Sequence, residues 1–148
     1  MQPDIDIRIA RSDDCRTIAD TVAIAFATDP LWNWAMSRED GGTDHHQQIW
    51  TIFVEGALRY PSSWILGRGA AVSVWIPPGG SELSDEQENR LHDCVASALG
   101  PRASRFFHVL QLMEEAHPRS VDHYYLSLLG THPDHRGQGL GMHLLLNG

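Results

Sequence analysis

The chain has 148 residues, enough for one domain with its own core, and its 42% hydrophobic and 20% charged residues are ordinary for a globular protein. A formal net charge of −8 argues against nucleic acid or an anionic membrane surface as a partner, because both attract clustered cations. Since the sequence has neither a long apolar run nor a basic-then-apolar leader, we expect a cytoplasmic protein.

The first part of the chain predicts a strand followed by two helices. Ile5 to Ile9 alternate with polar residues, which is typical of a strand, and Ser12 is a candidate N-cap for a helix that ends at Asp29-Pro30. Leu31 to Asp44 contains a glycine pair and predicts a loop. Apolar residues at helical spacing then predict a second helix, which closes at Pro61.

The middle of the chain predicts a hairpin and two more helices. Two apolar runs, Trp64–Leu66 and Ala70–Ile76, flank a short glycine turn. Ser84 and Gln87 have the spacing of a capping box, and the helix that they begin should stop at Gly100-Pro101. The next helix is expected from about Ala103 to His117.

The last part predicts a strand from Asp122 to Leu129, a glycine-rich turn and a helix from Leu140 to Leu146. The whole order is then β-α-α-β-β-α-α-β-α. This order predicts a mixed α/β or α+β domain.

The strand, turn and helix at this end also predict an anion site. Gly137, Gly139 and Gly141 let the backbone approach a ligand closely, and the first N–H groups of the helix favour a phosphate, with Arg136 adding a positive charge. A dinucleotide fingerprint requires a third glycine where Met142 stands, and a P-loop requires a Lys, which the chain lacks.

The remaining pattern, Arg136-x-x-Gly139-x-Gly141 after a hydrophobic strand and Thr131-x-Pro133, resembles the acetyl-CoA signature of the GNAT superfamily of N-acetyltransferases. The order of the predicted elements is similar as well. Within the superfamily, the chain most resembles puromycin-N-acetyltransferase-like proteins, in the Ala25-Phe26 and Asp29-Pro30 pairs, the strand sequence Ala71 to Trp75, and His132 to His135.

This resemblance implies a GNAT fold, with flanking helices around a mixed central sheet, and a reaction in which a primary amine of a small molecule attacks acetyl-CoA directly. The backbone of Leu129 and Thr131 would pair with the pantetheine arm, an N–H near Leu129 would polarise the acetyl carbonyl, and a bulge is expected near Leu129 and Gly130. The residues implied to bind the cofactor are Leu129, Gly130, Thr131, Arg136, Gly137, Gln138, Gly139, Leu140, Gly141 and Met142.

The resemblance implies less about catalysis and the acceptor. Tyr125 and Ser127 occupy the strand positions where family members often carry a general base; neither is a strong base, although either could hold a relay water, and Tyr125 is as well explained by core packing. The loop after the first helix lines the acceptor pocket in the family. Asp29, Trp32 and Trp34 are therefore substrate-binding candidates, with the alternative that the tryptophans only cover the core edge.

Several other side chains are given structural interpretations. His132, His135 and His143 fit no zinc spacing, so no metal site is predicted, and His45-His46 is expected at an exposed helix start. Glu114-Glu115 is expected on a solvated helix face. Cys15 and Cys94 fit neither a disulfide framework nor a zinc ribbon and are expected in apolar surroundings.

The resemblance further implies that a fifth strand parallel to the fourth, another helix and a final hairpin would follow residue 148, and that the lost segment commonly carries a tyrosine that protonates the leaving thiolate. Residues 5–148 are therefore expected to form an incomplete GNAT domain: a fragment, a truncated product, or a piece completed by another chain. A homodimer, common in the family, is a further alternative.

Two other function classes stay open at this point. A catalytically degenerate acyl-CoA-binding module would bind the coenzyme without transferring its acetyl group. A nucleotide-binding domain of another kind would prefer ATP or NAD to coenzyme A.

Overall fold

The computed structural model describes residues 6–148. Ten helices and strands follow one another in the described chain, together with 3₁₀ turns at Ser12–Asp14, Gly100–Arg102 and Pro133–His135. The elements are β1 (Ile7–Ile9), α1 (Cys15–Phe26), α2 (Pro30–Ala35), α3 (Asp44–Ala57), β2 (Trp64–Leu66), β3 (Ala71–Ile76), α4 (Asp85–Leu99), α5 (Ala103–Ala116), β4 (Tyr125–Thr131) and α6 (Leu140–Asn147).

The four strands form one sheet in the order β1-β2-β3-β4, and each neighbouring pair is antiparallel. The predicted hairpin is confirmed, because Ile65 lies opposite Val72 and Leu66 opposite Ala71. The mixed sheet that the resemblance implies contains a parallel pair of strands, and no such pair occurs among these four strands. Ile5, which the sequence places in the first strand, lies outside the described residues.

The two faces of the sheet are covered differently. Ile65, Val72 and Val74 belong to the main core with α1, α3, α4 and α5, whereas Leu66 and Ala71 pack against Leu140 and Leu144 of α6. Successive residues of a strand point to opposite faces, so α6 lies on the face away from the main core. The structure is therefore a three-layer α+β domain, with β4 at one edge of its sheet.

The predicted capping box at the start of α4 is confirmed. The Ser84 hydroxyl accepts from the Gln87 N–H at 3.2 Å, and the Gln87 side chain accepts from the Ser84 N–H at 2.9 Å. Ser12, in contrast, makes no capping bond; the Asp14 carboxylate accepts from the Arg11 N–H at 2.8 Å, and α1 begins at Cys15.

The loop prediction for Leu31 to Asp44 is wrong in its first part, where α2 lies. Asp29-Pro30 does not only end the preceding helix; the Asp29 carboxylate accepts from the N–H groups of Leu31 and Trp32 at 3.0 Å, and Pro30 occupies the first helical position. An Asp N-cap followed by Pro is a strong helix start, because it satisfies free N–H donors and supplies the required φ.

The exposed placement expected for His45-His46 is also wrong. Both side chains are buried, and the His45 ring contacts the Met36 carbonyl oxygen through Nε2 at 2.5 Å. The segment after α2 folds back over the start of α3 and covers them.

The side chains of Glu114 and Glu115 on α5 are exposed to solvent, as expected.

None of the helices within residues 6–148 combines the length and apolar character that crossing a membrane requires.

Candidate functional site

The free edge of β4 presents backbone groups at the predicted coenzyme positions. Within residues 6–148, β4 pairs with β3 alone. The His132 N–H donates to the Ala70 carbonyl at 2.9 Å, and the register then places Thr131 opposite Ala71 and Leu129 opposite Ser73. Bonded and non-bonded pairs alternate in an antiparallel ladder, so the N–H and C=O groups of Leu129 and Thr131 point away from β3. Those of Leu128 and Gly130 point toward β3.

The glycine turn after β4 leads into an open helix N-terminus. Gly137 and Gly139 have φ of 79° and 71°, and Gly139 is the N-cap of α6. The His143 N–H makes the first bond of α6, to the Gly139 carbonyl at 2.9 Å, so the N–H groups at 140–142 lack an intrahelical acceptor. No side chain caps this helix. The glycines are thus required by backbone conformation, and the free donors can bind an anion.

A small pocket of about 320 Å³ lies beside these backbone groups. It is lined by residues 129–131, 25–26 and 28–29 and by Arg136. The Arg136 guanidinium donates to the Ala25 carbonyl at 2.8 Å. This bond holds the charge at the pocket's mouth while leaving other N–H donors of the guanidinium for a ligand.

A much larger groove of about 1240 Å³ follows β4 in the other direction, along residues 125–128. Its walls come from all five helices α1 to α5, from the end of β3 and the loop that follows it, and from β4 with the segment that precedes it. Phe26 lines both the groove and the small pocket. Trp50 also lines the groove, and its buried indole N–H has no hydrogen-bond partner. The two cavities therefore meet along β4 and could hold two substrates next to each other.

The two predicted catalytic residues both lie in the groove. Tyr125 packs on the main core and makes an edge-to-face contact with His117, with ring centroids 4.6 Å apart. Burial raises the pKa of Tyr125, which keeps its hydroxyl neutral. The Ser127 hydroxyl donates to a carboxylate oxygen of Glu82.

Glu82 is a site residue that the sequence did not reveal. It lies in the loop between β3 and α4, is partly buried and lines the groove. Burial is the main cause that raises its pKa, the Ser127 hydrogen bond opposes this rise, and the nearby charge of Glu114 adds to it. No local motif marks Glu82; its only sequence signal is a carboxylate just after Pro77-Pro78-Gly79-Gly80.

The three substrate-binding candidates are separated in the structure. Asp29 lines the small pocket and caps α2. Trp32 lines the groove and contacts Trp50 edge-to-face, at a centroid distance of 5.0 Å. Trp34 lines neither cavity and is 47% exposed, with the Arg105 guanidinium 5.2 Å from its ring centre.

The bulge expected near Leu129 and Gly130 lies earlier in the strand. Val74 pairs with Leu128 and Trp75 with Leu126, which leaves Ser127 as the extra residue. A bulge re-aims the side chain of its extra residue. Here that side chain is the one bonded to Glu82.

Three histidines lie on either side of the glycine turn, His132 and His135 before it and His143 in α6 after it. His132 accepts from the Asp134 N–H at 3.1 Å through its ring nitrogen, and so caps the short 3₁₀ turn that follows β4. Among residues 6–148, no three His, Cys, Asp or Glu side chains lie close enough together to bind a metal ion.

Solved structures that are similar to this chain include two acetyltransferases, while no family model matches the chain. A structure described as histone acetyltransferase HPA2 and related acetyltransferase, from Corynebacterium glutamicum ATCC 13032, has a TM-score of 0.64 and 24% identity, covering 97% of this chain and 68% of that one. An apo mutant of agmatine N-acetyltransferase has a TM-score of 0.58 and 20% identity, covering 97% of this chain and 67% of that one.

The chain has the GNAT fold. At these identities the likeness establishes the fold, and it agrees with the α+β architecture that the sequence predicts. The chain spans about two thirds of the length of each neighbour.

Proposed function

We propose that residues 5–148 are the main part of a GNAT domain that transfers an acetyl group from acetyl-CoA to a primary amine of a small molecule. The observation that carries this proposal is the alignment of two free sets of backbone groups. The outward N–H and C=O groups of Leu129 and Thr131 run toward the uncapped N-terminus of α6. An extended arm that ends in two linked phosphates fits this arrangement.

In this proposal the coenzyme binds mainly to backbone. The pantetheine arm pairs with Leu129 and Thr131 as another strand would, and the pyrophosphate accepts from N–H groups between Gly137 and Met142. Arg136 adds a charged contact to the phosphates. The outward N–H of Leu129 polarises the acetyl carbonyl and stabilises the oxyanion that forms during attack.

Direct attack by the amine fits the two adjoining cavities. Neither cysteine lines them, and burial raises the pKa of Cys15 to about 11 and also raises the pKa of Cys94, so both thiols are poor nucleophiles. The Ser127 hydroxyl donates to Glu82 and stands in the groove, where the amine would bind. We therefore propose one step in which both substrates are bound together.

Within the superfamily, we propose the puromycin-N-acetyltransferase-like group. Ala25 and Phe26, which carry part of that resemblance, both line the small pocket, and Trp75 of the matching strand lies next to the bulge in β4.

Thermal shift and thiol release together test the proposal. We expect acetyl-CoA to raise the melting temperature more than ATP or NAD does, and free thiol to appear only when an amine is added. Binding without thiol release for any amine would support a degenerate acyl-CoA-binding module. Stabilisation by ATP or NAD but not by coenzyme A would contradict the coenzyme site.

A further inference from the structure

The backbone on either side of Glu82 is fixed by hydrogen bonds. The Ser81 carbonyl accepts from the Arg59 guanidinium at 2.7 Å, and the Ser81 N–H donates to the Tyr60 hydroxyl at 3.1 Å. After Glu82, the capping box begins α4 directly at Ser84. Such a fixed loop holds a reactive group without further ordering when a ligand binds.

The loop also lies unusually close to α3. A Cβ built on Gly56 would come within 2.2 Å of the Glu82 carbonyl oxygen, so only glycine permits this approach. Ser127, the bulged residue of β4, then donates its hydroxyl to the Glu82 carboxylate. The carboxylate is thus placed beside the strand that leads to the proposed thioester position at Leu129.

The lining of the groove combines apolar surface with negative charge. Aromatic rings from α1, α3 and α5 form much of the wall. Four carboxylates line it, those of Glu82, Glu88, Glu114 and Asp122, and its one guanidinium, from Arg119, forms an ion pair with Glu114 at 2.8 Å. A groove of this kind favours a cation on an apolar body and disfavours a ligand that carries a carboxylate.

We propose that Glu82 binds the ammonium group of a primary amine with an apolar body and accepts its proton, which makes Glu82 the general base of the acetyl transfer. This inference rests on the proposed function and extends it to the acceptor side. The ammonium gives one proton to Glu82, and the nitrogen lone pair then forms the C–N bond to the acetyl carbonyl carbon. The C–S bond breaks with its electron pair on sulfur, the second nitrogen proton goes to the thiolate, and Glu82 returns its proton to water.

The neighbouring groups are less suited to this role. Tyr125 is held in its neutral form by burial, which raises its pKa. Glu114 is exposed and paired with Arg119. The carboxylate of Glu82 is partly buried, and burial with the charge of Glu114 raises its pKa, while the Ser127 hydrogen bond and the charge of His117 lower it. A raised pKa brings a carboxylate closer to the range in which a general base is effective.

Steady-state kinetics of the full chain with acetyl-CoA and 2-phenylethylamine tests the inference, using Glu82→Gln and the matched surface variant Glu115→Gln. We expect Glu82→Gln to lower kcat by about 100-fold or more, the usual contribution of a general base, and to remove the acid limb of the pH profile. Glu115 is exposed on the same helix as Glu114 but does not line the groove, so Glu115→Gln should behave like the wild type. Phenylalanine, which adds a carboxylate to the same body, should be the poorer acceptor.

Calorimetry on the same proteins separates the two proposals. We expect Glu82→Gln to bind coenzyme A as the wild type does, and to bind 2-phenylethylamine at least about tenfold more weakly, because a charged hydrogen bond is lost. A Glu82→Gln variant that keeps kcat and the acid limb overturns the role of Glu82. A wild type that binds coenzyme A but neither binds nor acetylates 2-phenylethylamine overturns the acceptor class. Absence of coenzyme A binding in the wild type overturns the proposed function itself.

Discussion

The small pocket is lined by residues 129–131 with Arg136 and by the end of α1 with Thr28 and Asp29, whereas the groove collects residues from seven helices and strands and from two loops. In the first region and the glycine turn beside it, the proposed ligand contacts are mainly N–H and C=O groups, and the sequence must supply glycine at positions of positive φ. In the second region the contacts are carboxylates and rings whose neighbours are distant in the chain. Coenzyme binding and amine chemistry should therefore respond to different substitutions.

Among substitutions that distinguish the two regions, Gly139→Val is expected to have the largest effect. Valine is strained at a φ of 71°, so the first turn of α6 must rearrange and its N–H donors are lost to the phosphates. We expect coenzyme A affinity to fall about 100-fold by calorimetry, the equivalent of one or two charged hydrogen bonds.

Gly41→Val is the matched control for this strain. Gly41 has a φ of 73°, its Cβ would meet nothing within 4 Å, and it lines neither cavity. Both variants should lose similar stability, but Gly41→Val should keep coenzyme A affinity. Equal losses of affinity in the two variants would mean that the glycine turn acts only through stability.

Gly56→Ala tests the groove, the region proposed to bind the amine. The added Cβ would displace the loop that carries Glu82, so we expect kcat to fall about 30-fold, within the range known for small misplacements of reacting groups. Coenzyme A affinity should not change, because Gly56 does not line the small pocket. A variant with normal kcat would show that the position of Glu82 is unimportant.

Arg136→Gln should have a smaller effect on the coenzyme. Loss of one charged phosphate contact is expected to weaken binding about tenfold and to reduce its dependence on salt. Titrations at low and high ionic strength measure both. Arg90 pairs with Glu55 at 2.8 Å and lines neither cavity, so Arg90→Gln is the control and its affinity should be unchanged.

The smallest expected effect is on stability. Because the pKa of Glu82 is raised in the folded state, its contribution to stability is fully present below the ordinary pKa of a glutamate and is lost as pH rises through the raised value. Glu82→Gln should therefore be slightly more stable than the wild type at pH 8, by less than about 1 kcal/mol, and equally stable near pH 4. Urea unfolding at the two pH values measures the difference; a stabilisation that is larger at pH 4 would give the wrong sign.

The parts of the fold that sequence could predict are those with local signals. The Gly67–Gly69 turn with its apolar flanks, and the Ser84–Gln87 capping box, each specify structure within a few residues. Asp29-Pro30 carries a local signal too, but as a helix end it predicts only half of the structure, because the pair also begins α2. The burial of His45 could not be predicted locally, because the cover comes from the segment after α2 folding back.

The candidate site also has one part with local sequence signals and one part that depends on contacts between distant residues. The backbone groups of its proposed coenzyme side lie within one stretch, 129–142, so the sequence itself shows the strand, the glycines and the helix start. Its amine side depends on contacts such as Glu82 with Ser127, which are 45 positions apart. The bulge that places Ser127 there is set by the pairing of β3 with β4, and no residue pattern within β4 indicates it.

Amide hydrogen exchange, followed by NMR with and without coenzyme A, tests the central claim most directly. The claim is that the outward N–H groups of β4 and the first N–H groups of α6 bind the coenzyme. It predicts that coenzyme A slows exchange at Leu129, Thr131 and residues 140–142, while Leu128 and Gly130, already directed toward β3, change little. Unchanged exchange at Leu129 and Thr131 in the presence of saturating coenzyme A would contradict it.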